Sequence, residues 1–238
     1  MFDRQFLASF KSEKKYFVGG LDEVGRGPLA GPVVAGSVIF HWDKEPEVSS
    51  KFLKSIQELK DMGIGDSKAL SEKKRFHICE QLFSVESKDL VKFWKAKKFC
   101  IRIDSLSMPL VVSLGIVSPK RIDKINILKA SLEAMARSIP YGNLPSKGLL
   151  LIDGRHTLSY QENVREIPII KGDQKSLLIG LASIIAKTYR DRLMAIYGKK
   201  FPVYLFDKNA GYPTLAHRAA IIKHGSSPIH RKSFRGVV

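Results

Sequence analysis

The chain has 238 residues, 44% of them hydrophobic, enough to bury one sizeable core or two small ones and too apolar for global disorder. Lys and Arg number 40 against 23 Asp and Glu, and the formal charge of +17 favours a polyanionic partner, nucleic acid or an anionic membrane surface. Its longest apolar stretches, such as Leu177 to Ala186, fall short of the roughly 20 residues a spanning helix needs, and its first residues lack a signal-peptide core, so we expect a cytoplasmic protein.

In chain order, residues 1–17 read as a charged lead. Tyr16 to Leu21 and Val33 to Phe40 are β-rich runs joined by GRGPLAGP, which predicts two neighbouring strands with an elaborate turn. The segment His41 to Gly65 reads as an inserted surface loop with a short helix. Ser71 to Phe83 starts on a capping serine and carries an apolar stripe through Phe76, Ile78, Leu82 and Phe83, which predicts a helix. Apolar residues at Ile125, Leu128, Leu132, Ala136 and Ile139 predict another over 122–139. Gly148 to Ile152 and Glu166 to Ile170 have the length and composition of buried strands, and Ser176 to Tyr197 is a long, largely buried helix. Residues 185–238 hold eleven Lys or Arg and two acids, interleaved with aromatics such as Tyr204, Phe206 and Tyr212, so the last quarter reads as a binding surface. The two cysteines, Cys79 and Cys100, form no CxxC pair and read as reduced thiols. Strands followed by helices make an α/β protein.

Four acids stand out. Asp22 and Glu23 end an apolar strand just before Gly25, Arg26 and Gly27, where two carboxylates are costly to bury unless something cationic neutralises them. A divalent cation would do so, and so would a turn cap or a salt bridge to Arg26. Asp153 likewise closes Leu149 to Ile152 before Gly154, either at a sheet-end site or in an Asp-Gly turn. Asp191 lies inside the long helix among Lys187, Arg190 and Arg192, free to pair with Lys187 four residues earlier or to bind a metal beside a phosphate path. Separated carboxylates in a basic protein without a Cys/His ligand set suit Mg²⁺ or Mn²⁺ and a phosphodiester substrate. The glycines around Arg26 would let backbone groups approach a 2′-hydroxyl, or simply make a tight turn. His156, His217, His224 and His230 form no triad or zinc pattern and read as structural or phosphate-facing.

The segments LDEVGRGPLAGPVVAGSVI, GDSKALSEKKR, LIDG, KGDQKSLLIGLASIIAKTYRDRLM, FPVYLFDKNAGYPTLAHRAAI and HGSSPIHRKSF resemble, in order, those of bacterial ribonuclease HII over most of residues 18–236. The resemblance implies a ribonuclease H-like mixed β-sheet flanked by helices over 18–198, with a basic, helical C-terminal extension over 199–238 packed on it. It implies an endoribonuclease that cuts the RNA strand of RNA·DNA hybrids and incises DNA 5′ to embedded ribonucleotides, leaving 3′-hydroxyl and 5′-phosphate ends. Asp22, Glu23, Asp153 and Asp191 match its metal-binding catalytic acids, for two Mn²⁺ or Mg²⁺ ions with substrate bound. Gly25, Arg26 and Gly27 match its ribonucleotide-reading loop and Tyr212 the tyrosine that packs on the next sugar. Lys68, Lys187 and Arg190 match basic positions for phosphate contact or site support. The expected partners are hybrids and ribonucleotide-containing DNA, met by a monomer with no membrane attachment, in ribonucleotide removal and primer processing.

Overall fold

Alternation along the first strand sets the frame. In β1 (Lys15–Val24) Tyr16 and Val18 pack into one hydrophobic layer and Phe17 and Leu21 into another, all buried, so both faces of the sheet must be covered. The computed structural model describes residues 15–43, 48–64, 70–96, 99–140 and 144–237. The remaining strands are β2 (Val33–Asp43), β3 (Cys100–Ile103), β4 (Leu110–Val117), β5 (Gly148–Asp153) and β6 (Val164–Ile169). They form one mixed sheet in the order β3-β4-β2-β1-β5-β6. Strands β1 to β4 pair antiparallel; β5 pairs parallel with both β1 and β6. The β1–β5 register sets Leu21 opposite Ile152, which brings the carboxyl ends of both strands, and the acids that follow, side by side.

The helices, in chain order, are α1 (Val48–Asp61), α2 (Glu72–Phe83), α3 (Leu90–Ala96), α4 (Pro119–Ile125), α5 (Ile127–Ser138), the single-turn α6 (Gly172–Lys175), the long α7 (Leu177–Lys200), the single-turn α8 (Phe206–Asn209) and α9 (Leu215–His224). One face of the sheet carries α7 with α1, α2 and α3 around it; the other carries α4 and α5. Helix α7 lies directly on the strands because two glycines admit its backbone. A Cβ at Gly20 would collide with the Leu178 backbone, and one at Gly36 would sit 2.5 Å from the Ala182 carbonyl oxygen. No helix of the described residues is long and apolar enough to cross a membrane.

Four sequence expectations change. The segment read as a surface loop contains the fourteen-residue α1, whose Phe52, Ile56 and Leu59 are wholly buried in the α7 layer. The helix expected over 122–139 is two helices broken at Asn126, whose positive φ of 69° turns the chain. Its backbone N–H closes α4 on the Ile122 carbonyl, and its side chain accepts the Lys129 N–H to start α5. Strands β3 and β4 add a sheet edge that no motif marked. The sheet begins at Lys15, inside the expected lead, whose first fourteen residues lie outside the described ones. Residues beyond α7 fold back so that Tyr204, Phe206 and Ile221 close over Leu29 and Ala30, beside Met194 of α7. Cys79 is buried and Cys100 half-buried, both as free thiols.

Candidate active site

Asp22 and Asp153 sit at the adjacent carboxyl ends of β1 and β5, and Glu23 joins them because β1 ends one residue later. A ligand oxygen from each of the three lies within 4.8 Å of the others. Burial, followed by the charges of Glu23 and Asp153, pushes the Asp22 carboxyl well above the usual carboxylate range. Burial also raises Glu23 from 4.5 to about 7, against the pull of Arg26. The Arg26 guanidinium reaches Glu23 Oε1 at 3.3 Å, so the salt bridge weighed from sequence is real, but it satisfies one oxygen only. Glu23 Oε2 is buried and has no hydrogen-bond partner among the described residues. Asp22 Oδ1 accepts the Glu23 N–H at 2.7 Å, and Asp153 Oδ1 accepts the Gly172 N–H at 2.7 Å. Three hard oxygen donors, mutually repelling and short of positive charge, fit a divalent cation.

The acids open into a cavity of about 430 Å³ that is also lined by Gly25, Arg26, Gly27, Lys187, Arg190 and Tyr212. Gly25 has φ +92°, and a Cβ there would strike the Arg190 guanidinium, so the turn leaving β1 requires glycine. A Cβ on Gly27 would touch the Tyr212 ring at 3.6 Å. The loop and the tyrosine, far apart in sequence, therefore form one wall, and Tyr212 is 44% exposed on it.

Asp191, on α7, is bonded to two residues of the cavity lining: its carboxylate pairs with Lys187 at 2.6 Å and with Arg75 of α2 at 3.3 Å, outside the tight trio. The i, i+4 ion pair weighed from the sequence is formed, and Arg75 compensates for its unfavourable order. A further acid near the trio is Asp173, 2% exposed in α6, whose charge bears on Asp22 and whose neighbour Gly172 holds Asp153. The sequence reading did not single it out. Lys187 reaches the cavity from α7 as expected. Arg190 supports the wall: 1% exposed, it donates to the carbonyls of Pro32, Ala210 and Ala30 at 3.0–3.1 Å. Lys68 lies outside the described residues. Arg75 and Arg231, both unmarked in the sequence reading, also shape this region; Arg231 donates to the Gly25 and Arg26 carbonyls.

The pattern that defines ribonuclease HII matches residues 19–237. The chain belongs to the ribonuclease HII family. A ribonuclease HII of Rickettsia akari is 42% identical over 226 residues, covering 94% of each chain. One of Syntrophobacter fumaroxidans is 40% identical over 220 residues, covering 92% of this chain and 77% of that protein. The ribonuclease H2 structure of Pyrococcus horikoshii superposes with a TM-score of 0.65 at 23% identity, covering 92% and 94% of the two chains, and shares the fold. As a ribonuclease HII the protein is a ribonuclease H, a hydrolase. The acid cluster at the sheet end is the natural place to look for its chemistry, since ligands of α/β sheets gather at carboxyl ends of strands.

Proposed function

We propose that this ribonuclease HII cuts the RNA strand of RNA·DNA hybrids and incises DNA 5′ to embedded ribonucleotides, using Mg²⁺ or Mn²⁺ held by Asp22, Glu23 and Asp153, with Asp191 as the fourth carboxylate. The observation that carries the reading is the trio of carboxylates within 4.8 Å, with Glu23 Oε2 buried and unpartnered among the described residues, opening into the cavity lined by Gly25–Gly27 and Tyr212. Two divalent ions bound with substrate would supply Lewis acidity to the attacking water and the leaving oxygen of an in-line displacement, giving 3′-hydroxyl and 5′-phosphate ends.

The protein's own groups prepare the site. Asp153 is oriented by the Gly172 amide, and Asp173 adds negative charge beside Asp22. Lys187 brings an ammonium to the cavity wall, where a phosphate is its natural partner, while Asp191 and Arg75 fix the position of that lysine and the helix behind it. The backbone of Gly25–Gly27 supplies close donors and acceptors for a 2′-hydroxyl, and the Tyr212 ring a flat surface for the adjoining sugar. Such an activity serves removal of ribonucleotides from DNA and of RNA primers.

The test is a labelled duplex containing one ribonucleotide, incubated with Mg²⁺, Mn²⁺ or EDTA. A single cut 5′ to the ribonucleotide with either metal and none with EDTA is the expected result. An intact duplex, or cutting in EDTA, overturns the reading.

A further inference from the structure

Arg231 is wholly buried, with its guanidinium over the Phe234 ring and its hydrogen bonds to backbone carbonyls: Nη2 donates to Gly25 at 2.6 Å, Nη1 to Arg26 at 2.9 Å and Nε to Gly31 at 2.9 Å. Burying a guanidinium is expensive, and its rigid fork makes the arrangement specific, because three carbonyls must converge on one plane. The consequence for the loop follows from peptide geometry. In a planar trans peptide the N–H points opposite to the preceding C=O, so turning the Gly25 and Arg26 carbonyls toward Arg231 turns the Arg26 and Gly27 amides away from it. Neither amide has an intramolecular acceptor among the described residues, in a segment that lines the cavity.

The preceding residue does the same for the tyrosine beside that loop. His217 Nδ1 lies 2.8 Å from the Tyr212 carbonyl, which can only accept, so Nδ1 carries the proton. His217 Nε2 then accepts from His230 Nε2 at 3.0 Å, and His230 Nδ1 accepts the Ser227 N–H at 2.8 Å. Each ring nitrogen is used with one tautomer of each histidine, and both rings are neutral. Burial pushes both below the ordinary histidine range, His230 to about 4. The segment itself is pinned to the turn after β1: the Arg231 N–H donates to Leu29 and the Gly31 N–H to Ile229, both at 2.8 Å.

We infer that His230 and Arg231 are a pair of positioning residues for junction recognition. Arg231 orients the Gly25–Gly27 loop and His230, acting through His217, seats Tyr212, so one dipeptide fixes the two halves of that cavity wall relative to each other without touching nucleic acid. This rests on the ribonucleotide-reading role proposed above for the loop and the tyrosine.

The experiment compares kcat/KM on a single-ribonucleotide duplex with kcat/KM on a long hybrid. Arg231→Lys and His230→Leu should each lower that ratio about tenfold, the loss of a charge-assisted or buried hydrogen bond, while thermal unfolding shows a folded protein. His230→Gln, which keeps a donor for His217, should restore the ratio to within about threefold of the parent. Hydrogen exchange of the Arg26 and Gly27 amides in the substrate-free protein should speed up in Arg231→Lys. Equal losses on both substrates with unchanged exchange would mean a scaffold role and overturn the inference. Should one variant fail to fold, the other decides. A parent enzyme indifferent to the junction would instead sink the functional reading, with the exchange measurement still deciding the positioning role.

Discussion

Asp22, Glu23 and Asp153 are like charges gathered within 4.8 Å; Arg190 and Arg231 are like charges too, 1% and 0% exposed. The two groups border the same turn and are treated oppositely. Arg190 and Arg231 each donate to three backbone carbonyls. Among the acids, Glu23 Oε2 has no donor among the described residues, and Asp22 and Glu23 are driven toward protonation. Buried charge satisfied by fixed dipoles shapes a loop, whereas buried charge left short of positive partners marks where a ligand must enter.

The sharpest way to break this comparison is Asp153→Asn. It should reduce incision about a thousandfold, the several kcal/mol that bound ions contribute, and leave the thermal midpoint equal or higher because a repulsion is removed. Near-normal initial rates in that variant would contradict the ligand assignment. Next, Asp191→Asn, at the proposed fourth carboxylate, should cost about a hundredfold in rate and Asp173→Asn less than about tenfold, because Asp173 acts only through Asp22 and Asp153. The reverse order, in parallel kinetic assays, would remove Asp191 from the metal set.

Arg190→Met tests the other region. Removing a buried donor to three carbonyls should cost about 2–3 kcal/mol, or roughly 5–10 °C in thermal midpoint for a chain of this length, read by circular dichroism. The remaining effect is in pH. The unfolded chain releases the Glu23 proton near 4.5, while the metal-free folded protein holds it to about 7. This contribution to stability is therefore present below about pH 4.5 and lost as pH rises through about 7. The midpoint of EDTA-treated protein should fall across that window through this group, with Mg²⁺ or Mn²⁺ restoring it at the upper end. A flat profile would mean the acids are compensated without metal.

Much of this contrast was legible in the sequence, unevenly. An acid ending an apolar run marked Asp22, Glu23 and Asp153 because burial beside a strand terminus is a local property. The turn after β1 announced itself through its glycines. Asp191 was equally conspicuous, but its pairing with Arg75 was not legible, because that arginine comes from a separate helix. Asp173, which the sequence reading did not single out, is buried. His217 and His230 showed no pattern because their bond depends on how the last quarter folds back on the turn.

The sequence by itself determined the α/β class, the strands carrying the three clustered acids, the long helix and the family resemblance, since these rest on periodicity, local turn chemistry and motif order. Only the tertiary structure decided which charges meet, which are compensated, and that α1 is core instead of surface loop. Desolvation and hydrogen-bond satisfaction depend on every group within a few ångströms, and in a folded chain most of those groups are distant in sequence.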